Sequence, residues 1–302
     1  MHAGAGRSTL PRKFAVINRL CVIGVGLIGG SLARALRNAG MCRDVLGVGR
    51  HPQRLEKARR LGVIDRYETD IAQGVRGADM VVLAVPLGAT EEQFQALRGQ
   101  LAAEAVITDV GSAKRSVIAA ARTAFGQVPS NLVPGHPIAG TEKSGVEASF
   151  AGLFEGHRVI LTPVSETSVS ALARVREMWT ATGAEVVEMP PAMHDEVLAA
   201  TSHLPHVLAY TLVNRLGTMN ERVEIFRNAA GGLRDFTRIA SSDPQMWHDI
   251  CLANSDAIGA VLRELMVDLG QVAAAIEGRD GDAVKVLFER AKALRDQYTR
   301  AR

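Results

Sequence analysis

Leu20-Cys21-Val22-Ile23 runs directly into Gly24-Val25-Gly26-Leu27-Ile28-Gly29, and Ser31-Leu32-Ala33-Arg34-Ala35-Leu36-Arg37 follows. A glycine-rich hexamer alone arises readily by chance and in ordinary turns. Here it lies between a strand-like run and a helix-like one. A second apolar run, Val45-Leu46-Gly47-Val48, ends at Gly49-Arg50, twenty positions after Gly29. That is the layout of a βαβ dinucleotide site. Gly24 permits the tight turn, Gly26 lets backbone approach a pyrophosphate, and Gly29 lets helix pack on strand. The free N–H groups and positive end of the helix that Leu27 and Ile28 open then face the phosphates.

The residue after the second strand bears on which dinucleotide is bound. Sites for NAD usually carry Asp or Glu there, bonded to the ribose 2′-hydroxyl. This chain has Gly49, then Arg50 and His51, with Arg54 one turn further on. Losing the carboxylate removes repulsion against a 2′-phosphate, and a guanidinium grips phosphate through two parallel bonds. NADP is therefore favoured over NAD. The plainer alternative is that Arg50 is a solvated loop arginine.

At 302 residues, 47% of them hydrophobic, the chain is long enough for two domains with buried cores. A net charge of +3 without a lysine–arginine block gives no support to a nucleic-acid or membrane-surface role. Cys21, Cys42 and Cys251 are scattered without C-x-x-C spacing. That argues against a disulfide framework or metal site and fits a reducing cytoplasm. No apolar run has the length of a bilayer span. The opening residues lack the apolar core of a secretory signal, and 1–16 read as a disordered leader.

Strand and helix signals then alternate through residues 17–189. Candidate strands are Leu20–Ile23, Val45–Val48, Met80–Val85, Ala105–Val110, Asn131–Val133, Arg158–Thr162 and Glu185–Glu188. Most are short, β-branched and apolar throughout, as strands covered on both faces should be. The pattern predicts an α/β, Rossmann-type, doubly wound and mostly parallel sheet. Val85 and Pro86, and Gly111 after the fourth candidate strand, fall where ligands lie, off the carboxyl ends of strands.

After Glu188-Met189-Pro190-Pro191 no strand pattern remains, so residues 190–302 are expected to form an all-α domain. Ile258, Leu262, Leu265, Leu269, Val272 and Ile276 make one long helical stripe. Asp280 or Asp282 then caps a last helix. So much apolar face predicts a homodimer formed through this domain; a monomeric bundle docked on the first domain is the alternative.

Three stretches carry more polar groups than ordinary loops need. They are Asp109-Val110-Gly111-Ser112-Ala113-Lys114; Gly135-His136-Pro137-Ile138-Ala139-Gly140-Thr141-Glu142-Lys143-Ser144-Gly145; and, in the helical region, Ser202-His203-Leu204-Pro205-His206 with the run from Gly231 to Trp247. With the glycine fingerprint, the D-V-G-S, G-H-P-I-A-G-T-E-K-S-G, H-L-P-H and F-T-R-I-A-S-S-D-P-Q-M-W strings make the chain resemble the prephenate and arogenate dehydrogenase family of tyrosine biosynthesis. The resemblance runs from about Arg19 to the end.

That resemblance implies oxidative decarboxylation: hydride leaves the carbon bearing the ring hydroxyl, and the ring carboxylate departs as carbon dioxide. It makes His136 the catalytic base, and a neutral imidazole in a glycine-flanked loop is suited to accept the hydroxyl proton. Ser112 matches a serine that contacts the same hydroxyl. Arg238 matches the arginine that binds the ring carboxylate by a bidentate fork. His206, and less directly His203, match the substrate-side histidine, with Pro205 kinking the helix to direct both rings; a satisfied core histidine is the alternative. Thr141, Ser242 and Trp247 are candidates for hydrogen bonds and a wall around the substrate side chain. Glu142 is placed to pair with the ammonium of arogenate, or else faces solvent or Lys143, so prephenate, arogenate or both remain open.

Rivals share the first domain. β-Hydroxyacid dehydrogenases typically place a catalytic lysine in their helical domain, whereas here only Lys285 and Lys292 follow Ala192, both near the end. A non-catalytic NADP-binding redox sensor has no use for His136, Ser112 and Arg238 together.

Overall fold

The computed structural model describes residues 16–300 apart from 142 and 221. The expected leader, Val16 excepted, lies outside the described residues. The first strand, β1 (Ile17–Ile23), is central because its residues are apolar on both faces, and Leu20, Cys21, Val22 and Ile23 are all buried. It pairs in parallel with β2 (Cys42–Val48) on one side and with β4 (Met80–Leu83) on the other. The sheet extends outward through β3 (Arg66–Glu68) past β2, and through β5 (Val106–Asp109) and β6 (Leu132–Val133) past β4. Its order is therefore β3-β2-β1-β4-β5-β6, all parallel. This is the doubly wound arrangement expected, and its strand order reverses between β1 and β4, beside the glycine fingerprint.

Helices cover both faces, as parallel strands require. They include α1 (Leu27–Asn38), α2 (Pro52–Arg60), α3 (Ile71–Gly74), α4 (Thr90–Leu97), α5 (Arg115–Phe125) and α6 (Val169–Ala181). Two apolar clusters result, one on each side of the sheet; the first includes Leu32, Leu36 and Trp179, the second Phe94, Leu97 and Val117.

Two sequence expectations are corrected here. Arg158–Thr162 and Glu185–Glu188 read as further strands of the main sheet. Instead β8 (Arg158–Leu161) and β9 (Glu185–Glu188) form a separate three-stranded sheet with β7 (Gly135–Pro137). His136 was expected in a loop. It lies in β7, paired antiparallel to β8 opposite Ile160, and is only 8% exposed. Three residues containing Gly and Pro carry no strand periodicity, so pairing with β8 fixes the segment.

Beyond β9 the described residues are helical: α7 (Pro191–Leu198), α8 (Leu204–Gly217), α9 (Arg222–Arg227), α10 (Gly231–Thr237), α11 (Pro244–Ala253), α12 (Ser255–Glu277) and α13 (Gly281–Arg300). Between α7 and α8 the backbone widens into a π-helical turn at Ala199–His203. The irregularity thus precedes Pro205, which sits in the first turn of α8, where a missing N–H costs little. Asp280 caps α13, accepting the N–H of Ala283 at 3.0 Å. Along the expected stripe on α12, Ile258 is buried, Leu262, Leu265 and Val272 are half-buried, and Leu269 and Ile276 are exposed.

Gly24 has φ +95°, and a Cβ there would lie 2.3 Å from the carbonyl oxygen of Ala84. Gly24→Ala must therefore move the β1–α1 turn or the end of β4. We expect it to lower the unfolding free energy by about 3 kcal/mol, read from urea denaturation, from the left-handed backbone and overpacking together. A wild-type midpoint would contradict this geometry.

Candidate active site

Every residue read as cofactor-binding converges on the carboxyl edge of the parallel sheet. Ile23 is level with Val48 and Leu83, so Gly24, Gly49 and Ala84 leave the sheet side by side. Leu83 is level with Asp109, which brings Gly111 to the same edge. A Cβ on Gly29 would lie 2.4 Å from the Gly24 carbonyl oxygen, whereas one on Gly26 would meet nothing within 4 Å. Packing within the chain therefore accounts for Gly29 but not for Gly26. The first turn of α1, with Leu27 and Ile28 half-buried, has neither a side-chain cap nor an acidic residue. Its N–H groups remain to receive phosphate, and these residues fit a dinucleotide. Arg50 and His51 are exposed beyond β2, His51 as the residue preceding α2. Val85 is half-buried and Pro86 exposed beyond β4.

Beside this cradle lies a buried polar cluster. His136 Nδ1 is 2.9 Å from His194 Nε2, with the rings edge-to-face. His194 Nδ1 is 2.8 Å from Asp195 Oδ1. The Asp195 carboxylate also accepts the backbone N–H groups of Lys114 and Arg115 at 2.8 and 2.9 Å, so a residue of α7 caps α5. Lys114, wholly buried, donates from Nζ to Asp109 Oδ2 at 2.5 Å and to the Gly135 carbonyl at 2.7 Å. Asp109 in turn accepts the N–H groups of Gly111 and Gly135 at 2.7 and 3.1 Å. The strand carrying His136 is thus held from below by one ion pair, and its ring is held from the side by the hydrogen-bonded His194–Asp195 pair.

The cluster continues into the helical region. Asn254 Nδ2 donates to the Asp195 carbonyl at 2.8 Å and lies 3.2 Å from His203 Nδ1. His203 meets the ring of Trp247 edge-on, while His206 stacks on that ring with centroids 3.6 Å apart. His206 Nδ1 donates to the Ser202 carbonyl at 2.9 Å. Arg238, on the exposed turn after α10, lies close enough that its charge acts on His206.

Burial sets the protonation of these rings. It holds the His136 pKa well below the ordinary imidazole value, and His194, Lys114 and His203 push the same way. His194 is also lowered by burial, against the opposing pull of Asp195. His203 is pushed down to about 4 by burial and then by His194. For Asp195, burial acts to raise the pKa, but the His194 bond and the two backbone donors outweigh it and hold the group below its ordinary value. All three buried imidazoles are neutral near pH 7.

The remaining candidates differ in placement. Ser112 is half-buried and, among the described residues, its hydroxyl has no hydrogen-bond partner. Thr141 is exposed and its hydroxyl bonds locally to the backbone of Lys143. Ser242 donates its hydroxyl to Ile239 within its own turn, and its carbonyl accepts from Tyr210. Glu142 lies outside the described residues. Sequence reasoning missed His194, Asp195, Asn254 and the Asp109–Lys114 pair. Only Lys114 and Asp109 stood in a stretch that looked unusual, and nothing in Met193-His194-Asp195 distinguishes it from the solvated start of a helix.

Comparison with known proteins identifies the family. The family model "Prephenate dehydrogenase, nucleotide-binding domain" matches residues 32–188, and "Prephenate dehydrogenase, dimerization domain" matches residues 190–290. The chain belongs to the prephenate dehydrogenase family. It is 39% identical to the cyclohexadienyl dehydrogenase of Zymomonas mobilis over 93% of this chain and 96% of that one. It is 37% identical to the prephenate dehydrogenase of Bacillus subtilis, covering 92% of this chain and 75% of the relative. Among solved structures it resembles Aquifex aeolicus prephenate dehydrogenase in complex with hydroxyphenyl propionate and NAD+. The TM-score is 0.87 and the identity 35%, over 93% of this chain and 98% of that one.

The buried imidazoles make stability depend on pH. Each is neutral in the folded chain but binds a proton near pH 6.5 once unfolded. Their contribution is therefore complete above about pH 6.5 and is lost as pH falls toward the folded pKa values, about 4 for His203. Thermal melts across this window should show Tm falling with pH. A Tm that stayed level down to about pH 5 would count against neutral burial.

Proposed function

We propose that the chain oxidatively decarboxylates prephenate, arogenate or both, with residues 17–189 as the nucleotide-binding domain and 190–302 as the substrate and dimerisation domain. The observation that carries this reading is a buried neutral imidazole, His136, at the carboxyl edge of the parallel sheet beside an open glycine cradle. The names of its relatives supply the substrate class. Bound NAD or NADP supplies the hydride acceptor.

His136 takes the proton of the ring hydroxyl while the hydrogen on the same carbon departs as hydride. The bond from the ring to its carboxylate breaks, the electron pair enters the ring, and carbon dioxide leaves. The phenolate oxygen then recovers the proton from His136, so the exchange closes without net proton release. Ser112, with its unengaged hydroxyl, serves as the second group on the ring oxygen. Arg238 receives a substrate carboxylate, with His206 stacked on Trp247 as the adjoining wall and His203 behind it. Thr141 and Ser242 are lesser contacts, since each hydroxyl already bonds its own loop.

Arg50 beyond β2 supports NADP over NAD, and Glu142 is the candidate for recognising the arogenate ammonium. The exposed Met266, Leu269, Phe288 and Leu294 support pairing of two copies through α12 and α13. The scattered thiols suit a cytoplasmic enzyme, and among the described residues no helix is long and apolar enough to cross a membrane.

The deciding experiment is a rate assay crossing prephenate and arogenate with NAD and NADP. Reduction of either dinucleotide with stoichiometric carbon dioxide release is expected; none in all four combinations overturns the reading. Arg50→Ala should weaken NADP about tenfold or more and leave NAD nearly unchanged. Gly26→Ala should keep the wild-type unfolding midpoint, since its Cβ meets no protein atom, yet raise the dinucleotide Kd at least tenfold.

A further inference from the structure

The hydrogen bonds around His136 can run in only one direction. Asp195 is ionised, and an ionised carboxylate only accepts. It already takes two backbone N–H groups, so the proton between it and His194 must sit on His194 Nδ1. A neutral imidazole has one N–H, which leaves His194 Nε2 with a lone pair. His136 Nδ1, 2.9 Å away, must then be the donor. His136 Nε2 is then unprotonated as well and, unlike His194 Nε2, makes no hydrogen bond within the described residues.

We propose that Asp195 and His194 are positioning residues that lock His136 in the tautomer whose Nε2 lone pair faces the substrate hydroxyl. The inference rests on the activity proposed above for its purpose, but the tautomer exists whether or not that activity does. An isolated imidazole exchanges between two tautomers, and only one of them is a base at Nε2. Burial excludes the charged ring but does not choose between the neutral forms. The chain Asp195–His194–His136 makes that choice, as the buried aspartate of a serine-protease triad does for its histidine, with one further ring inserted.

Asp195→Ala tests the direction of the chain. It removes the acceptor of the His194 Nδ1–H, so His194 no longer keeps its proton on Nδ1 and His136 is free to carry its own on Nε2. We expect kcat to fall about 10²–10⁴-fold with the dinucleotide Kd unchanged. His194→Gln retains a carbonyl acceptor opposite His136 Nδ1 and should lose at least tenfold less than His194→Leu. Normal kcat in Asp195→Ala, or equal losses in the two His194 variants, would overturn the proposal.

A second measurement needs neither an Asp195 variant nor any turnover. In 15N-histidine-labelled full-length protein, with the ring signals assigned by His136→Gln and His194→Gln, both rings should show a protonated Nδ1 and an unprotonated Nε2. A His136 ring protonated on Nε2 sinks the relay even in an active enzyme. The expected pattern in a chain that oxidises neither prephenate nor arogenate upholds the relay and removes the proposed activity instead.

Discussion

A single buried carboxylate, that of Asp195, joins the two halves of this molecule. It is 1% exposed, and such a charge is tolerated only when donors replace the water it has lost. Here three do: the N–H groups of Lys114 and Arg115 at the start of α5, and the His194 ring. The carboxylate also sits at the positive end of that helix, which lacks a cap of its own. The need is mutual. Without Asp195 the first turn of α5 would bury orphaned donors, and without α5 the carboxylate would be protonated or expelled. Asn254, bonded to the Asp195 carbonyl, extends the joint to the boundary of α11 and α12.

The Asp109–Lys114 pair does the corresponding task on the other side of His136. Buried ion pairs often add little net stability, because desolvation consumes most of the attraction. Their geometry is the more informative property. Asp109 accepts the Gly135 N–H while Lys114 donates to the Gly135 carbonyl, so both polar groups of the residue before His136 are fixed by one pair. This is where the chain leaves the parallel sheet at β6 and starts the small one at β7. A histidine in a free loop would sample many orientations; one in a strand pinned at both ends does not.

The parallel sheet was legible because its signals are local. Apolar runs, glycine spacing and intervening helices each lie within a few residues, and the turn at Gly24 announces its own backbone conformation. The helical grammar after Pro190-Pro191 was equally plain. What could not be read was pairing across distance. β7 has three residues and no periodicity, so its existence depends on β8, more than twenty positions later. His194 and Asp195 lie about eighty residues from the N–H groups that explain them. In sequence they resemble solvated polar residues on a helix, because nothing local marks the end of α5 they complete. His136, Arg238 and His206 were singled out only through the family strings; without them His136 and Arg238 read as surface residues and His206 as a satisfied core histidine. Ser242 shows the opposite limit, since its place in such a string gave no sign that its hydroxyl is spent on its own turn.

In the proposed reaction the same cluster meets two demands on His136 as a buried base. At rest His136 must be neutral, and burial beside Lys114 and two other imidazoles ensures that. During proton transfer it must carry positive charge in a site that disfavours charge. Asp109, Asp195 and Lys114 together leave one uncompensated negative charge in the cluster, and it is oriented before any substrate arrives. In the proposed relay, as the His136 ring gains a proton at Nε2, its Nδ1–H bond to His194 strengthens, and the His194 bond to Asp195 strengthens with it. The stabilisation therefore grows with the developing charge and is small in the ground state, the condition under which an interaction accelerates a reaction and does not merely tighten binding. Because the carboxylate is already held by two backbone groups, little reorganisation is needed when that charge appears.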